Sequence, residues 1–254
     1  MFDYSMTDTQ VVDKNIDGEV QSPPKKSRNI FSELRYFFFH KPQKPTYIHI
    51  DSEEDRKKYS ELFLNRTGVP VDNYLLLNIH RISIDAPAGF VFKELLTWNG
   101  DSIWWPNHIA RANLKNGNLN KIKITLFGLS HNIFKLKNGL FGYHLLHLFN
   151  LNAIDIRQEP DSDNGRLLLY KCSGGYPIGV FAMYTRDSIS ELGEDKQSQL
   201  FVVVSFNFYG KKSLSSLNFL SKTWKMIHNR VTSNIVERIK DKCEWDYSHS
   251  IQPD

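Results

Sequence analysis

The chain of 254 residues contains only two cysteines, Cys172 and Cys243, which lie far apart in the sequence. We therefore expect neither a disulfide framework nor a zinc knuckle, and we expect the protein to work in a reducing compartment. Apolar runs stay well below the roughly 18 to 20 residues that a membrane span requires. The N-terminus is polar and acidic, unlike a secretory signal peptide. We therefore expect a cytoplasmic protein, with peripheral attachment to a membrane as the open alternative.

Acidic residues are missing from a long internal segment. Residues 102–154 hold no Asp or Glu, although an even spread of the acids along the chain would place about six there. The segment interleaves basic and large apolar residues, which suits contact with an anionic membrane surface. The residues predicted to make that contact are Phe134, Lys135, Lys137, Leu140 and Phe141. The alternative is that residues 127–150 form a helical lid over a cavity, with the apolar side buried as core.

Several function classes lack their usual signals. The formal net charge of +4 is too small to argue for nucleic acid, and no nucleic-acid motif accompanies it. P-loop, G-x-G-x-x-G and G-x-S-x-G patterns do not occur. The histidines of the acid-free segment have no cysteine or carboxylate beside them as further ligands, so we expect neither a metal nor a cofactor. They are His108, His131, His144 and His147.

The first 70 residues divide into two parts. Residues 1–29 are polar and without periodicity, and we predict a disordered tail. Residues 30–70 are predicted to be a helical arm, with one helix near 30–40 and another near 51–65. The first helix has apolar residues on one face, so it either packs on the domain or lies at a membrane interface.

Strand patterns dominate the middle of the chain. Alternating apolar residues and Gly, Asn and Asp turns predict antiparallel strands. These strands are predicted at 75–84, 109–115, 121–126, 151–157, 166–172, 178–186 and 199–209. A helix is predicted after the first of them, because Pro87 suits the first turn of a helix.

The stretch 214–243 predicts one long helix. Its apolar residues recur every three or four positions, which places them on a single stripe: Leu217, Leu220, Trp224, Ile227, Val231, Ile235 and Ile239. A long helix with one apolar stripe needs a broad apolar surface to lie on. We therefore predict an α+β fold in which a curved antiparallel sheet of about six to seven strands wraps around the C-terminal helix.

Residues 82–92, ISIDAPAGFVF, resemble the first strand and the I-x-A-P-x-x-V-F entry into the first helix of the helix-grip superfamily, the START-like or polyketide cyclase/dehydrase and lipid-transport class. Trp98, Trp104, Trp105 and Pro106 resemble its W-x-x-W/F-x-P element. The resemblance covers about 75–245 and predicts a START-like domain at 71–245, followed by a tail at 246–254. It implies an apolar cavity between sheet and terminal helix for a lipid, quinone, polyketide or other hydrophobic ligand. It supplies no universal catalytic residue.

Such a cavity would be lined by inward strand positions and by the helix. Our candidates are Trp104, Trp105, His108, Tyr170, Met183, Phe206, Trp224 and His228. Arg157 and Arg186 sit on strands and would meet a ligand carboxylate or phosphate. The alternative is ordinary core for each aromatic residue and a solvent-facing strand position for each arginine.

Three functions remain open from the sequence. The favoured one is non-catalytic binding or transport of a lipid, isoprenoid or similar molecule near a membrane. The second is a cyclase or dehydratase that uses His108 or His131 as acid or base in the same cavity. The third is an interaction domain without a cavity. The oligomeric state is not predicted.

Overall fold

The computed structural model describes residues 30–98, 105–106, 110–126, 147–162, 165–188 and 197–251. Two helices come first, α1 (Ile30–Phe39) and α2 (Glu53–Thr67), followed by strand β1 (Leu76–Ile84) and helix α3 (Ala88–Thr97). Six strands follow: β2 (Ala110–Leu114), β3 (Lys121–Leu126), β4 (His147–Arg157), β5 (Arg166–Ser173), β6 (Pro177–Asp187) and β7 (Ser198–Phe208). Two helices end the chain, the short α4 (Lys212–Ser215) and the long α5 (Asn218–Ser250).

The strands form one seven-stranded sheet in the order β1-β7-β6-β5-β4-β3-β2, and every neighbouring pair is antiparallel. Strands β2 to β7 are a meander, and β1 closes the order by pairing with β7. The predicted α+β architecture is confirmed, with strands close to their predicted positions. The chain has the helix-grip fold.

Alternation along each strand gives the sheet two apolar faces. In β7, Leu200 and Val202 pack into the cluster that includes α3 and α5, whereas Val203 packs into a second cluster that includes Phe63 of α2. We call these the inner and the outer face. Two-sided burial explains why β7 is nearly continuous in apolar residues.

Helix α5 differs from its predicted extent at both ends. Leu217 has non-helical backbone angles and separates α5 from α4, where the hydroxyl of Ser215 accepts a hydrogen bond from the Phe208 amide. At the other end, α5 continues past Cys243 to Ser250, so residues 246–250 are helical rather than part of a tail. Contacts with α3 hold this extension, since the ring of Tyr247 packs edge-on against Phe90 with centroids 5.1 Å apart.

The segment before β1 covers the domain on two sides. Helix α1 lies on α5, and the buried side-chain amide of Asn234 donates to the carbonyl oxygens of Tyr36, Phe37 and His40. Farther along, Tyr47 forms a bridge with His80, which covers part of the free edge of β1. Among the helices that the structure describes, none combines the length and apolar character needed to traverse a bilayer.

Candidate functional site

A cavity of about 300 Å³ lies between the inner face of the sheet and helix α5. Strands β3 to β7 form its floor, α5 forms its roof, and α1, α3 and the start of β2 contribute at its margins. The residues that line it include Phe38, Trp98, Trp105, Tyr170, Cys172, Tyr176, Met183, Val202, Val204, Phe206, Trp224, Ile227, His228, Val231, Thr232 and Ile235.

Two periodicities build this lining. On β7 the lining residues are Val202, Val204 and Phe206, every second position of the strand. On α5 they recur at helical spacing, with Trp224, His228, Val231 and Ile235 on one stripe. The cavity is thus the space that the inner face and the apolar stripe of α5 leave between them.

The lining carries no formal charge among the residues that the structure describes, because it includes no Asp, Glu, Lys or Arg. Burying an isolated charge in such surroundings is costly, so the cavity suits an uncharged, mostly apolar molecule. The few polar groups include the phenols of Tyr170 and Tyr176, the imidazole of His228 and the hydroxyl of Thr232.

The hydroxyl of Tyr170 is the most informative of these groups. Tyr170 is 1% exposed, and its hydroxyl has no hydrogen-bond partner among the described residues. Burial raises the pKa of Tyr170 to about 12, so the group stays neutral at physiological pH. A neutral phenol can both donate and accept a hydrogen bond, so a ligand oxygen that reaches this buried hydroxyl would satisfy it.

Aromatic rings continue from the sheet to the roof. The rings of Phe206 and Trp224 meet edge to face at 4.8 Å, and Trp224 stacks on His228 at 4.2 Å. The indole Nε1–H of Trp224 donates to the hydroxyl of Tyr176 over 3.3 Å. Burial raises the pKa of Tyr176 to about 12. These contacts fix the flat wall that Trp224 presents to the cavity.

His228 is held as a neutral ring. Burial, with a smaller contribution from His80, lowers the pKa of His228 to about 3. The side-chain amide of Asn78 donates to its Nδ1 over 3.2 Å, which leaves Nε2 to carry the proton of the neutral form. Burial also lowers the pKa of His80 to about 4. Nδ1 of His80 lies 3.0 Å from the hydroxyl of Thr46.

Cys172 lines the cavity as an apolar group. Burial raises the pKa of its thiol to about 12, so the thiolate needed for nucleophilic chemistry is scarce at neutral pH. Both cysteines are free and buried. Within the described part of the chain, no three His, Cys, Asp or Glu side chains are grouped so as to hold a metal ion.

Six of the predicted ligand-binding residues come together around the cavity: Trp105, Tyr170, Met183, Phe206, Trp224 and His228. Three other predictions lie outside the described residues, namely Trp104, His108 and His131. So do the predicted membrane contacts Phe134, Lys135, Lys137, Leu140 and Phe141.

The two arginines are a correction, because the structure places both on the outer face. Arg186 pairs across the sheet with Gln199 and lies over the ring of Phe201. Arg157 donates to the carbonyl of Arg66 at the end of α2 and forms an ion pair with Asp155. Neither therefore meets a ligand in the cavity.

A register shift explains the position of Arg157. Leu151 and Ala153 of β4 pack on the inner face, and an unbroken alternation would put Arg157 there too. The register of β4 against β5 shifts between Ala153 and Asp155. Beyond the shift Ile156 packs inward, and Arg157 pairs with Leu167 of the outer cluster. A bulge inverts the faces in this way.

Sequence reasoning missed several lining residues. Phe38 reaches the cavity from α1, which was predicted as an arm outside the ligand-binding domain, either packed on it or lying at a membrane interface. The run of three phenylalanines was a usable signal, since it is too apolar for a free linker. Tyr176 and Thr232 were also missed, because a turn residue and a helical threonine carry no pattern that predicts a cavity.

No protein-family model matches the chain, and no curated protein matches it. Solved structures resemble it at low identity. The Aha1 dimer from Colwellia psychrerythraea is 14% identical with a TM-score of 0.37, over 67% of this chain and 97% of that one. The Zhui aromatase/cyclase from Streptomyces sp. R1128 is 10% identical with a TM-score of 0.40, over 70% and 96%. A START superfamily protein from Mycobacterium smegmatis is 8% identical with a TM-score of 0.39, over 68% and 98%. At these values the helix-grip assignment rests on the chain's own sheet order and terminal helix.

Proposed function

We propose that the protein binds an uncharged, hydrophobic small molecule, such as a lipid or an isoprenoid, in the cavity under α5, and exchanges it at a membrane surface. The observation that carries the proposal is an apolar cavity whose described lining bears no formal charge and includes Tyr170, whose buried hydroxyl has no partner among those residues. Such a cavity fits a molecule with a long apolar part and one alcohol or carbonyl oxygen.

The histidine that lines the cavity, His228, supports ligand binding better than it supports catalysis. A general base works best with a pKa near the operating pH, whereas the pKa of His228 is lowered to about 3. Its contacts suit a neutral hydrogen-bonding partner for a ligand. A filled interaction domain is disfavoured by the cavity of about 300 Å³.

Native mass spectrometry of the full chain as purified, with identification of any released molecule, is the direct test. We expect a complex heavier than the bare chain by the mass of one uncharged hydrophobic molecule. The neutral dye Nile red supplies a second readout, because an empty protein should take it up in the cavity. A bare-chain mass together with no uptake of Nile red would refute the proposal.

A cavity-filling substitution distinguishes dye binding in the cavity from dye binding on the protein surface. Val202 is buried on the inner face, so Val202→Phe should lower Nile red affinity at least about tenfold, while overpacking costs about 1–3 kcal/mol of stability. Ile154→Phe adds the same ring at a half-exposed position of β4 and is the matched control. If Val202→Phe does not fold by circular dichroism, Val231→Phe fills the cavity from α5. Unchanged dye binding in a folded filling variant would contradict the assigned site.

A further inference from the structure

The start of α5 exposes large apolar side chains to solvent. We define the α5 apolar patch as Leu217, Phe219, Leu220, Met226 and Ile227. Phe219 is 84% exposed and Met226 is 68% exposed. Single exposed apolar residues are common on soluble proteins, but a contiguous group of this kind marks an interaction surface.

The patch continues a stripe that α1 covers farther along the helix. Steps of three or four residues lead from Phe219 to Thr223, Ile227 and Arg230, and then to Asn234. Arg230 and Asn234 hold the end of α1 through hydrogen bonds to its last carbonyls, including that of His40. The first part of the stripe has no such cover among the described residues. Among the described residues, it is the part of this face that α1 does not cover.

The charges along the sequence at the patch have one sign. From residue 196 to residue 236 the sequence contains no Asp or Glu. The same stretch holds Lys211, Lys212, Lys222, Lys225 and Arg230 beside or within the first turns of α5. Each basic residue near an anionic lipid surface contributes favourably, and exposed apolar side chains between them insert below the headgroups.

The patch also borders the cavity. Ile227 is 44% exposed and lines the cavity at the same time. On α1, Phe38 lines the cavity while its neighbour Phe39 is 77% exposed. A surface that receives the patch would therefore lie next to the cavity lining contributed by both helices.

We propose that the α5 apolar patch and its lysines dock the protein on an anionic lipid bilayer. The docking surface differs from the one predicted at residues 134–141. An anionic lipid bilayer is the proposed partner because apolar exposure, positive charge along the start of α5 and contact with an apolar cavity occur together. The inference rests on the proposed function, since it gives the surface at which the ligand is exchanged.

The test is co-sedimentation of the full chain with phosphatidylcholine vesicles, with and without phosphatidylserine. We expect binding to the phosphatidylserine vesicles, weakened by salt. The double variant Phe219→Ser/Met226→Ser should lower the partition coefficient at least about tenfold, because two exposed apolar side chains no longer insert. Lys212→Glu/Lys222→Glu should abolish the dependence on phosphatidylserine.

Matched controls come from α2, which also exposes apolar and basic residues. Leu62→Ser/Leu64→Ser and Lys57→Glu/Lys58→Glu change exposed positions of that helix and should leave sedimentation unchanged. Absence of vesicle binding by the wild-type chain, or equal binding by the patch variant, would overturn the proposal. So would a wild-type dimer that the patch variant dissociates, without vesicle binding, because the partner is then a second copy.

Nile red binding measured without vesicles distinguishes the docking proposal from the proposal of ligand binding in the cavity. The patch variants should retain it, because Phe219 and Met226 do not line the cavity. Loss of vesicle binding with normal dye binding in the patch variants supports docking by the patch. A wild-type chain that binds dye but no vesicles refutes the docking surface while ligand binding stands.

Discussion

The hydroxyl of Tyr170 gives the smallest test of what the cavity holds. A buried hydroxyl without a partner costs about 1–3 kcal/mol relative to a satisfied one, and the described residues offer Tyr170 none. We expect Tyr170→Phe to raise the free energy of unfolding of the empty protein by up to about 1 kcal/mol. Its affinity for a long-chain alcohol should fall about five- to tenfold, while affinity for the corresponding alkane stays unchanged.

Calorimetry with both ligands measures this difference, and Tyr209→Phe removes a hydroxyl from an exposed tyrosine as the control. Equal losses for alcohol and alkane would mean that the ring, rather than the hydroxyl, contacts the ligand.

His80 and His228 make stability depend on pH. Their pKa values are lowered in the folded protein to about 4 and about 3, whereas the unfolded chain has ordinary histidines with a pKa near 6.5. Between these values the unfolded state binds more protons at both sites, so the contribution of the two histidines to the free energy of unfolding falls as pH falls. Asp241, whose pKa is raised by burial to about 6, contributes with the opposite sign. The loss is at most about 1.4 kcal/mol per pH unit for each histidine.

Urea titrations between pH 7 and pH 4.5 measure this slope. His228→Gln should remove the contribution of one histidine to this slope. The difference in free energy of unfolding between variant and wild type should therefore change steadily with pH. His249→Gln removes an exposed histidine near the end of α5 and serves as the control. A difference that stays constant with pH would show that His228 is not held neutral.

Individual residues also show how far the sequence can be interpreted. Trp224 and His228 were predictable because they fall on the apolar face of a long helix, and Phe206 because β7 alternates cleanly. Arg157 was not, since one extra residue in β4 inverts the face on which every later side chain of the strand lies. Bulges of this kind leave no pattern in the sequence around them.

Among the elements, α1 is held in part by one buried side chain of α5. The side-chain amide nitrogen of Asn234 lies within hydrogen-bond distance of three carbonyl oxygens near the end of α1 and shares its two N–H donors among them, and Asn234 is fully buried. The last carbonyls of a helix have no partners within it. We expect Asn234→Ala to lower the free energy of unfolding by about 1–3 kcal/mol and to loosen α1 from the domain.

Limited proteolysis and amide hydrogen exchange at residues 30–40 report on that loosening. Asn218→Ala makes the same change at the exposed first residue of α5 and should leave the exchange of α1 unaltered. Equal protection of α1 in wild type and Asn234→Ala would show that apolar contacts alone hold the helix.

The ends of α5 were the least predictable part of the elements. The apolar stripe ends at Ile239, so periodicity alone predicts a stop near Cys243. The helix continues with support from Lys242, which pairs with Asp246 one turn later and also with Glu94 of α3, a residue distant in sequence. Tertiary contacts of this kind decide helix ends without changing local propensity.

For the whole molecule, the two faces of the sheet have different surroundings. Its inner face forms the cavity, and its outer face packs on α2. Arg186 lies on the outer face over Phe201, so Arg186→Met should leave Nile red affinity within about twofold, because distant sites act independently. Its effect on the free energy of unfolding should stay below about 1 kcal/mol.

Dye titration of Arg186→Met beside Val202→Phe makes the comparison, since the two positions lie on opposite faces of neighbouring strands. A large loss of affinity in Arg186→Met would show that the outer face communicates with the cavity. The overall fold was predictable from strand periodicity and the terminal helix. Which side chains lie on the inner face and which on the outer face depends on the strand register, which the sequence does not give.

The uneven distribution of charged residues along α5 makes the start of this helix more positive than its end. Before Val236 the helix carries three basic residues and no acidic one; after it come four acidic and three basic residues. The helix macrodipole is also positive at its N-terminus, so the two effects add along a rod of about 50 Å. In the field of a negatively charged surface such a rod experiences a torque. Within about 8 Å of that surface, the screening distance at physiological salt, the charges of α5 favour an orientation with the start of the helix towards it.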